Sequence, residues 1–553
     1  MLRKFGGGYK QVLDIWFLWG FCLTSWRNKK RRTMKYPIGI QTFENLREGG
    51  FVYVDKTALV HKLVDSGTIY FLCRPRRFGK SLLLSTIKAY FQGKKELFKG
   101  LAMEKLETRW DEYPVFHVDF NGVDFGKEGA VESVLSGYVD IWADKYNVKN
   151  TANLPIGKRF ERALVAAHEA TGRRCVVLID EYDKPLLDVL DTEMEGKNRE
   201  TLKAFYSTFK AADEHLRFVM LTGVTKFSQI TVFSGLNQPR DISMSPQYDT
   251  ICGISEEELH KYFDDEIAAF AREEGIPVEK LLSEMRKKYD GYYFSRNMIG
   301  VYNPFSFLNA LQDRQLDDYW FRTGTPTYLI RLMEHFEENI NEMIAKPYPP
   351  SEFIDYRADV EKPLPMIYQS GYLTIKGYDK EMNEYWLDFP NNEVKRGFVS
   401  MIASSYLKTS ESVTPWISST VRALKRSDLE QLRKLLTSFL ASIPYTVRRK
   451  EDERERERYF HYTFYLILRM ISTYLVFTEK ETSHGRADCV IETPSYIYIF
   501  EFKLDSTAAE AIAQINESGY AREYEADARP LYKIGCGFSS ATGTISDWAV
   551  ERC

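Results

Sequence analysis

The sequence predicts an α/β chain of several domains built around a parallel sheet. Three observations carry this: the length, the alternation of short apolar runs with amphipathic stretches from Met34 onward, and a second, smaller alternation in the last hundred residues. The 553 residues, 44% hydrophobic and 28% charged, have a globular balance, which excludes disorder, collagen and coiled coil for the chain as a whole. At roughly 100–200 residues per domain the chain holds about three or four. Seven cysteines without a C-x-x-C pair fit a reducing compartment and argue against a zinc ribbon or a disulfide framework, and no H-E-x-x-H is present.

Residues 1–33 carry eight lysines and arginines against Asp14 alone, so the −3 of the whole chain leaves −10 on residues 34–553. That acidic body argues against a protein that coats nucleic acid non-specifically, while leaving room for a local basic cleft. Residues 12–26 are apolar apart from Asp14, Thr24 and Ser25 and are followed by the basic run Arg27–Arg32. They are too short for an ordinary membrane span, and the basic block is on the wrong side for a secretory signal. The expectation for 1–33 is a dispensable or membrane-associated extension, with the rest of the chain cytoplasmic and membrane contact only through 12–26.

From Met34, the runs at 68–75, 114–120, 174–183 and 216–223 read as strands buried on both faces, separated by helical stretches. Together they predict a nucleotide-binding type of sheet over 34–250. Residues 251–345 read as a helical lid, and the Pro-rich passage at 346–366 opens a linker or mixed region over 346–450, with a strand pair and two helical stretches. The charged run 448–458 reads as a solvated face. Residues 451–553 read as a small α/β domain: a helix, two strands and another helix.

The segment Arg74-Pro-Arg76-Arg77-Phe78-Gly79-Lys80-Ser81 lies between a buried strand and an apolar helix, the context of a phosphate loop. Loop amides and a helix N-terminus attract phosphate, and the expected roles are Lys80 neutralising the β and γ oxygens and Ser81 holding magnesium. Arg74 stands where the usual first glycine would be. The second witness is Val176–Ile179, four apolar residues ending in Asp180 and Glu181 at the C-terminal end of a parallel strand, where open sheets bind ligands. Asp180 is the expected magnesium residue and Glu181 the one that polarises the attacking water. Thr222 ends the next strand and is either a γ-phosphate sensor or a cap.

Near the C-terminus, 485–492 and 496–503 read as two strands joined at Thr493-Pro494-Ser495. With Pro494 and Ser495 central in the turn, Asp488 falls opposite Glu501, their β-carbons about 4.5–5.5 Å apart, and Lys503 shares the face. Facing carboxylates repel unless a cation lies between them, which points to a divalent metal, with Lys503 orienting water or steadying a phosphate.

The stretches YPIGIQTFENLREGGFVYVDKT, RPRRFGKSLLLSTIKAYF, VVLIDEYDKPL and LTGVTKFSQITVFSGLNQPRDIS resemble the bacterial AAA-ATPase-like family, in which the loop takes the RPRRFGKS form. GRADCVIETPSYIYIFEFKLDSTAAEAIAQINESGY is similar to the PD-(D/E)XK nuclease superfamily, although Ala487 replaces the proline of that name. The resemblance implies ATP and Mg²⁺ at the loop, Mg²⁺ or Mn²⁺ at the hairpin, Glu457 and Gln514 completing the second site, and DNA as substrate. Arg240 is a candidate arginine finger. The function expected is an ATPase controlling a metal-dependent nuclease. The alternative is a regulatory ATPase switch whose C-terminal domain binds a partner without cleavage, and a protein partner or homo-oligomer fits either.

Overall fold

The computed structural model describes residues 34–149, 153–227, 239–323, 343–344, 346–354, 363–407, 413–442, 476–478, 481–482, 485–486 and 489–553. Residues 1–33, with the apolar stretch at 12–26, lie outside these. No helix among the described residues is long and apolar enough to cross a membrane.

Among the described residues, five parallel strands form the first sheet: β1 Ile69–Cys73, β2 Val115–Asp119, β3 Cys175–Asp180, β4 Leu216–Gly223 and β5 Arg240–Asp241, in the order β2-β3-β4-β1-β5. Every residue of β3 is buried, so the strand is covered on both faces, as its unbroken apolar run requires. Helices α1 Lys80–Phe91, α2 Ala130–Lys145 and α3 Ile156–Thr171 provide the cover. Each Val, Leu or Ile so buried contributes about 1.5–3 kcal/mol. Arg240 lies on the edge strand, exposed and paired with Tyr70.

The helical lid follows. Helix α4 Glu256–Glu274 opens with a capping box, Ser255 and Glu258 bonding each other's backbone N–H, and stops at Gly275 with φ 66°. Helices α5 Val278–Tyr289 and α6 Pro304–Asp313 complete it, beside a small sheet of β6 Ile254–Ser255, β7 Tyr292–Tyr293 and β8 Gly300–Tyr302. Leu259, Phe263, Met285 and Phe307 centre its core, with Tyr36, Ile38, Val52 and Val54 of the N-terminal segment packed on it. The lid is therefore joined to the segment that precedes β1.

The interval 346–450 contains more than a connection. Strands β9 Pro347–Tyr348, β10 Thr374–Asp379 and β11 Glu384–Asp388 form a sheet in the order β10-β11-β9. Among the described residues, three helices follow where two helical stretches were expected: α7 Asn392–Leu407, α8 Val413–Arg426 and α9 Leu429–Ser442. Gln369, just before β10, accepts the Lys226 N–H at 2.7 Å, which seats this region on the loop after β4.

The C-terminal sheet runs β12 Val476–Thr478, β15 Cys489–Glu492, β16 Ile497–Leu504, β17 Leu531–Ser539 and β18 Thr544–Arg552, with β13 Glu481–Thr482 and β14 Gly485–Arg486 as a separate ladder. Strands β17 and β18 correct the expectation of two strands and a closing helix. Their alternation is diluted by Gly535, Gly537, Ser539 and Asp547, and β17 finds its partner only across helix α10 Ala508–Glu517, in parallel with β16. Tyr498 of β16 donates to the Leu424 carbonyl at 2.7 Å, which ties this sheet to α8.

Candidate functional site

At the C-terminal end of the first sheet, β1 runs into the phosphate loop and the loop into α1. Arg77 and Gly79 both have left-handed backbones, φ 68° and 93°, so the chain turns sharply before Lys80 starts the helix. Lys80 is 4% exposed and donates to the carbonyls of Arg74 at 3.1 Å and Pro75 at 3.2 Å. Its ammonium is thereby held inside the loop. Ser81 follows in the first turn of α1.

Arg74, expected in the phosphate site, directs its side chain elsewhere, and the Phe78 ring borders the cavity beside Gly79. The buried Arg74 guanidinium donates to the carbonyls of Cys73, Ser243 and Tyr248 and stacks over Phe294 at 3.9 Å. Phe78 packs against Tyr292, ring centroids 4.7 Å apart. Both anchor the loop and leave its interior to backbone groups and the Lys80 ammonium. Arg76 is half-buried, and the exposed Arg77 lies over Phe305 of the lid at 5.2 Å.

Across from the loop, Glu181 adopts φ 51°, a left-handed conformation costing about 1–3 kcal/mol in a non-glycine residue. Its carboxylate lies 3.8 Å from the Lys80 ammonium. Asp180, 2% exposed, accepts from the Thr222 hydroxyl at 2.7 Å and from the Glu181 N–H at 3.1 Å. Thr222 therefore touches the acid rather than capping a helix. The parallel register brings these side chains together from strands far apart in sequence.

Asp183 was not singled out by sequence reasoning. It is fully buried and accepts the N–H groups of Val224 at 2.9 Å and Thr225 at 2.6 Å, so the turn after β3 is stitched to the end of β4. Burial, reinforced by Glu181, pushes its carboxyl up to about 7. A Cβ at Gly223 would stand 2.5 Å from Asp183 Oδ1, so only glycine admits this approach. The signal available was the second aspartate of D-E-Y-D.

Beside Gly79 lies a cavity of about 100 Å³, lined by Val54, Leu83, Cys252, Phe263 and Leu308 among others. Lys56 borders it, and its ammonium meets both oxygens of Glu258 at 2.6 Å, bridging the N-terminal segment to the lid. Burial lowers the Lys56 pKa against the pull of Glu258.

In the C-terminal sheet, Cys489–Phe500 through Glu492–Ile497 pair in the register set by a turn with Pro494 and Ser495 at its centre. Asp488, one step beyond, lies outside the described residues, as does Glu457. Glu501 is 1% exposed, and its Oε1 is 3.5 Å from the Lys503 ammonium, which also donates to Gln514 Oε1. Gly535 and Gly537 stand beside Glu501 and Lys503 on β17. A Cβ on Gly535 would come within 2.2 Å of the Ala508 carbonyl, so the glycine lets α10 lie close enough for Gln514 to reach Lys503. Sequence reasoning did not anticipate that support, since β17 itself was missed.

The oxygen donors Ser81 and Asp180 at one site, and Glu501 at the other, are of the kind that suits Mg²⁺. Among the described residues no group of three or more His, Cys, Asp or Glu is arranged around one point.

Residues 37–233 match the family model described as "Predicted AAA-ATPase", and residues 455–548 match that of the PD-(D/E)XK nuclease superfamily. An "Uncharacterized protein in vnfD 5'region" of Azotobacter chroococcum mcd 1 is 35% identical over 529 residues, covering 94% of this chain and 99% of that one. The chain belongs to the AAA-ATPase-like family and carries a C-terminal PD-(D/E)XK nuclease-superfamily domain. Among solved structures, the Aeropyrum pernix ORC1 protein in complex with DNA aligns over 63% of this chain and 92% of that chain at 11% identity. Its TM-score of 0.23 is too low to bear on fold or function. The AAA-ATPase-like module thus carries the phosphate loop and the Asp180–Glu181 pair, and the nuclease-superfamily domain carries Glu501, Lys503 and Gln514.

Proposed function

We propose that the AAA-ATPase-like module binds and hydrolyses ATP with Mg²⁺, and that it governs a metal-dependent nuclease domain acting on DNA. The observation that carries the reading is the meeting of Lys80 and Glu181, 3.8 Å apart, beside the Asp180–Thr222 pair at the ends of β3 and β4. Lys80 would move from the Arg74 and Pro75 carbonyls onto the β and γ oxygens, and the apolar cavity beside Gly79 would take the base. Glu181, released from Lys80, would accept a hydrogen bond from the attacking water. Ser81 and Asp180 would hold Mg²⁺, which supplies charge neutralisation on the phosphates.

In the nuclease-superfamily domain, Glu501 and Asp488 would hold Mg²⁺ or Mn²⁺, a source of activated water. Lys503, steadied by Gln514, would orient that water or neutralise the phosphodiester, with Glu457 completing the site. Sequence resemblance supports the roles of Asp488 and Glu457. The test uses the whole chain, linear, nicked and single-stranded DNA, Mg²⁺ or Mn²⁺, and ATP present or absent, beside Lys80→Ala and Lys503→Ala. Cleavage lost in Lys503→Ala and altered in Lys80→Ala is expected. Normal ATP hydrolysis with no cleavage under any condition would overturn the nuclease half and favour a regulatory switch that binds a partner.

A further inference from the structure

Trp320, at the end of the lid, donates its indole N–H to the carbonyl of Arg76 in the phosphate loop at 3.2 Å. The residue is 6% exposed and is itself held from several sides. Its backbone N–H donates to Glu393 Oε1 at 2.6 Å, and the second oxygen of that buried carboxyl accepts the Ser306 hydroxyl at 2.8 Å. The indole packs on the Tyr372 ring, centroids 5.2 Å apart, and Tyr372 on Phe398 of α7 at 5.0 Å. Neighbouring Phe321 lies so close to α7 that a Cβ on Gly397 would come within 2.0 Å of its ring. The lid, the N-terminal turn of α7 and the segment before β10 all position Trp320 before it meets the loop.

In a trans peptide the carbonyl of one residue and the N–H of the next point to opposite sides. Holding the Arg76 carbonyl on the indole therefore directs the Arg77 N–H away from Trp320. Arg77 has φ 68°, and a left-handed residue in such a run turns successive N–H groups toward one concave, anion-binding side.

We propose that Trp320 is a positioning residue of the nucleotide site: it holds the Arg76 peptide so that the Arg77 N–H faces the phosphates of ATP. The inference rests on the ATP-binding reading above. It assigns the lid a part in shaping the phosphate loop that does not depend on contact with the nucleotide.

The test compares the affinities of ATP and of adenosine for the whole wild-type chain, Trp320→Phe and Trp320→His. Phenylalanine keeps an aromatic ring near Tyr372 and removes the N–H, whereas histidine is smaller and retains a donor. The expected result is ATP affinity weakened about tenfold in Trp320→Phe, the scale of one hydrogen bond to a charged group. Adenosine, which has no phosphate, is expected to bind all three proteins alike, and Trp320→His to recover part of the ATP loss. Unchanged ATP affinity in Trp320→Phe, or parallel losses of ATP and adenosine, would overturn the proposal. A wild-type chain that binds no ATP would instead remove the ATP-binding reading, a result distinct from both.

Discussion

Lys80 and Glu181 meet across two strand-to-loop junctions more than a hundred residues apart in sequence, whereas Glu501 and Lys503 stand two residues apart on one strand. The first arrangement depends on the register of three parallel strands and on a strained backbone at Glu181. The second depends on the alternation of β16 and on a helix brought near by glycine. A site spread over several strands is sensitive to anything that moves one strand end against another. A pair on one strand tolerates such movement but relies on its covering helix for orientation.

The largest expected effect is Lys80→Ala, which should lower ATP turnover about 10²–10³-fold, as loss of a preorganised charge on a transferring phosphate does. The C-terminal module should melt as before, and a joint loss of both modules would break the comparison. Lys503→Ala should lower DNA cleavage about 10²–10⁴-fold while steady-state ATP hydrolysis stays unchanged.

Smaller effects test the two supporting glycines. Gly223→Ala and Gly535→Ala should each destabilise their own module by about 1–3 kcal/mol, the usual cost of overpacking, read as separate shifts in thermal melting. Gly535→Ala should also reduce cleavage by moving α10 and Gln514 off Lys503, with no effect on ATP affinity.

The smallest effect is a difference in pH dependence. Burial pushes Glu393 up to about 7, and burial with Glu181 does the same for Asp183. The folded chain thus keeps, at these two positions, protons that the unfolded chain releases near pH about 4. Their stabilising contribution is complete below that pH and is lost as pH rises through about 7. Asp527 in the C-terminal module has the opposite sign. Hydrogen bonds from the Arg529 side chain and backbone hold it down to about 2, so its contribution is present above pH about 4 and lost as pH falls through about 2. Glu393→Gln should flatten the neutral-side slope of thermal stability between pH 4 and 8 and leave the acid side unchanged; an unaltered slope would show that this carboxyl does not set it.

Local pattern made much of the fold legible. The run 216–223 reads as a strand and is one, and the apolar run Val176–Ile179 falls within β3, because strands covered on both faces show as continuous apolar sequence. The hairpin register was legible because a two-residue turn leaves no freedom in pairing. Less legible were β17 and β18, whose alternation glycines and polar residues dilute, and β9, which joins the expected strand pair of β10 and β11 through a partner far along the chain.

What the amino-acid sequence determined by itself is the elements that carry the two sites and the chemistry they bear: a lysine at a helix start, an acidic pair at a strand end, a carboxylate and a lysine on one strand face. Tertiary structure alone decided that Arg74 anchors the loop from behind, that Asp183 binds the end of β4, and that Trp320 reaches the Arg76 carbonyl. Those are contacts of buried polar groups, which must find partners wherever packing brings them, and no short-range periodicity encodes where that will be.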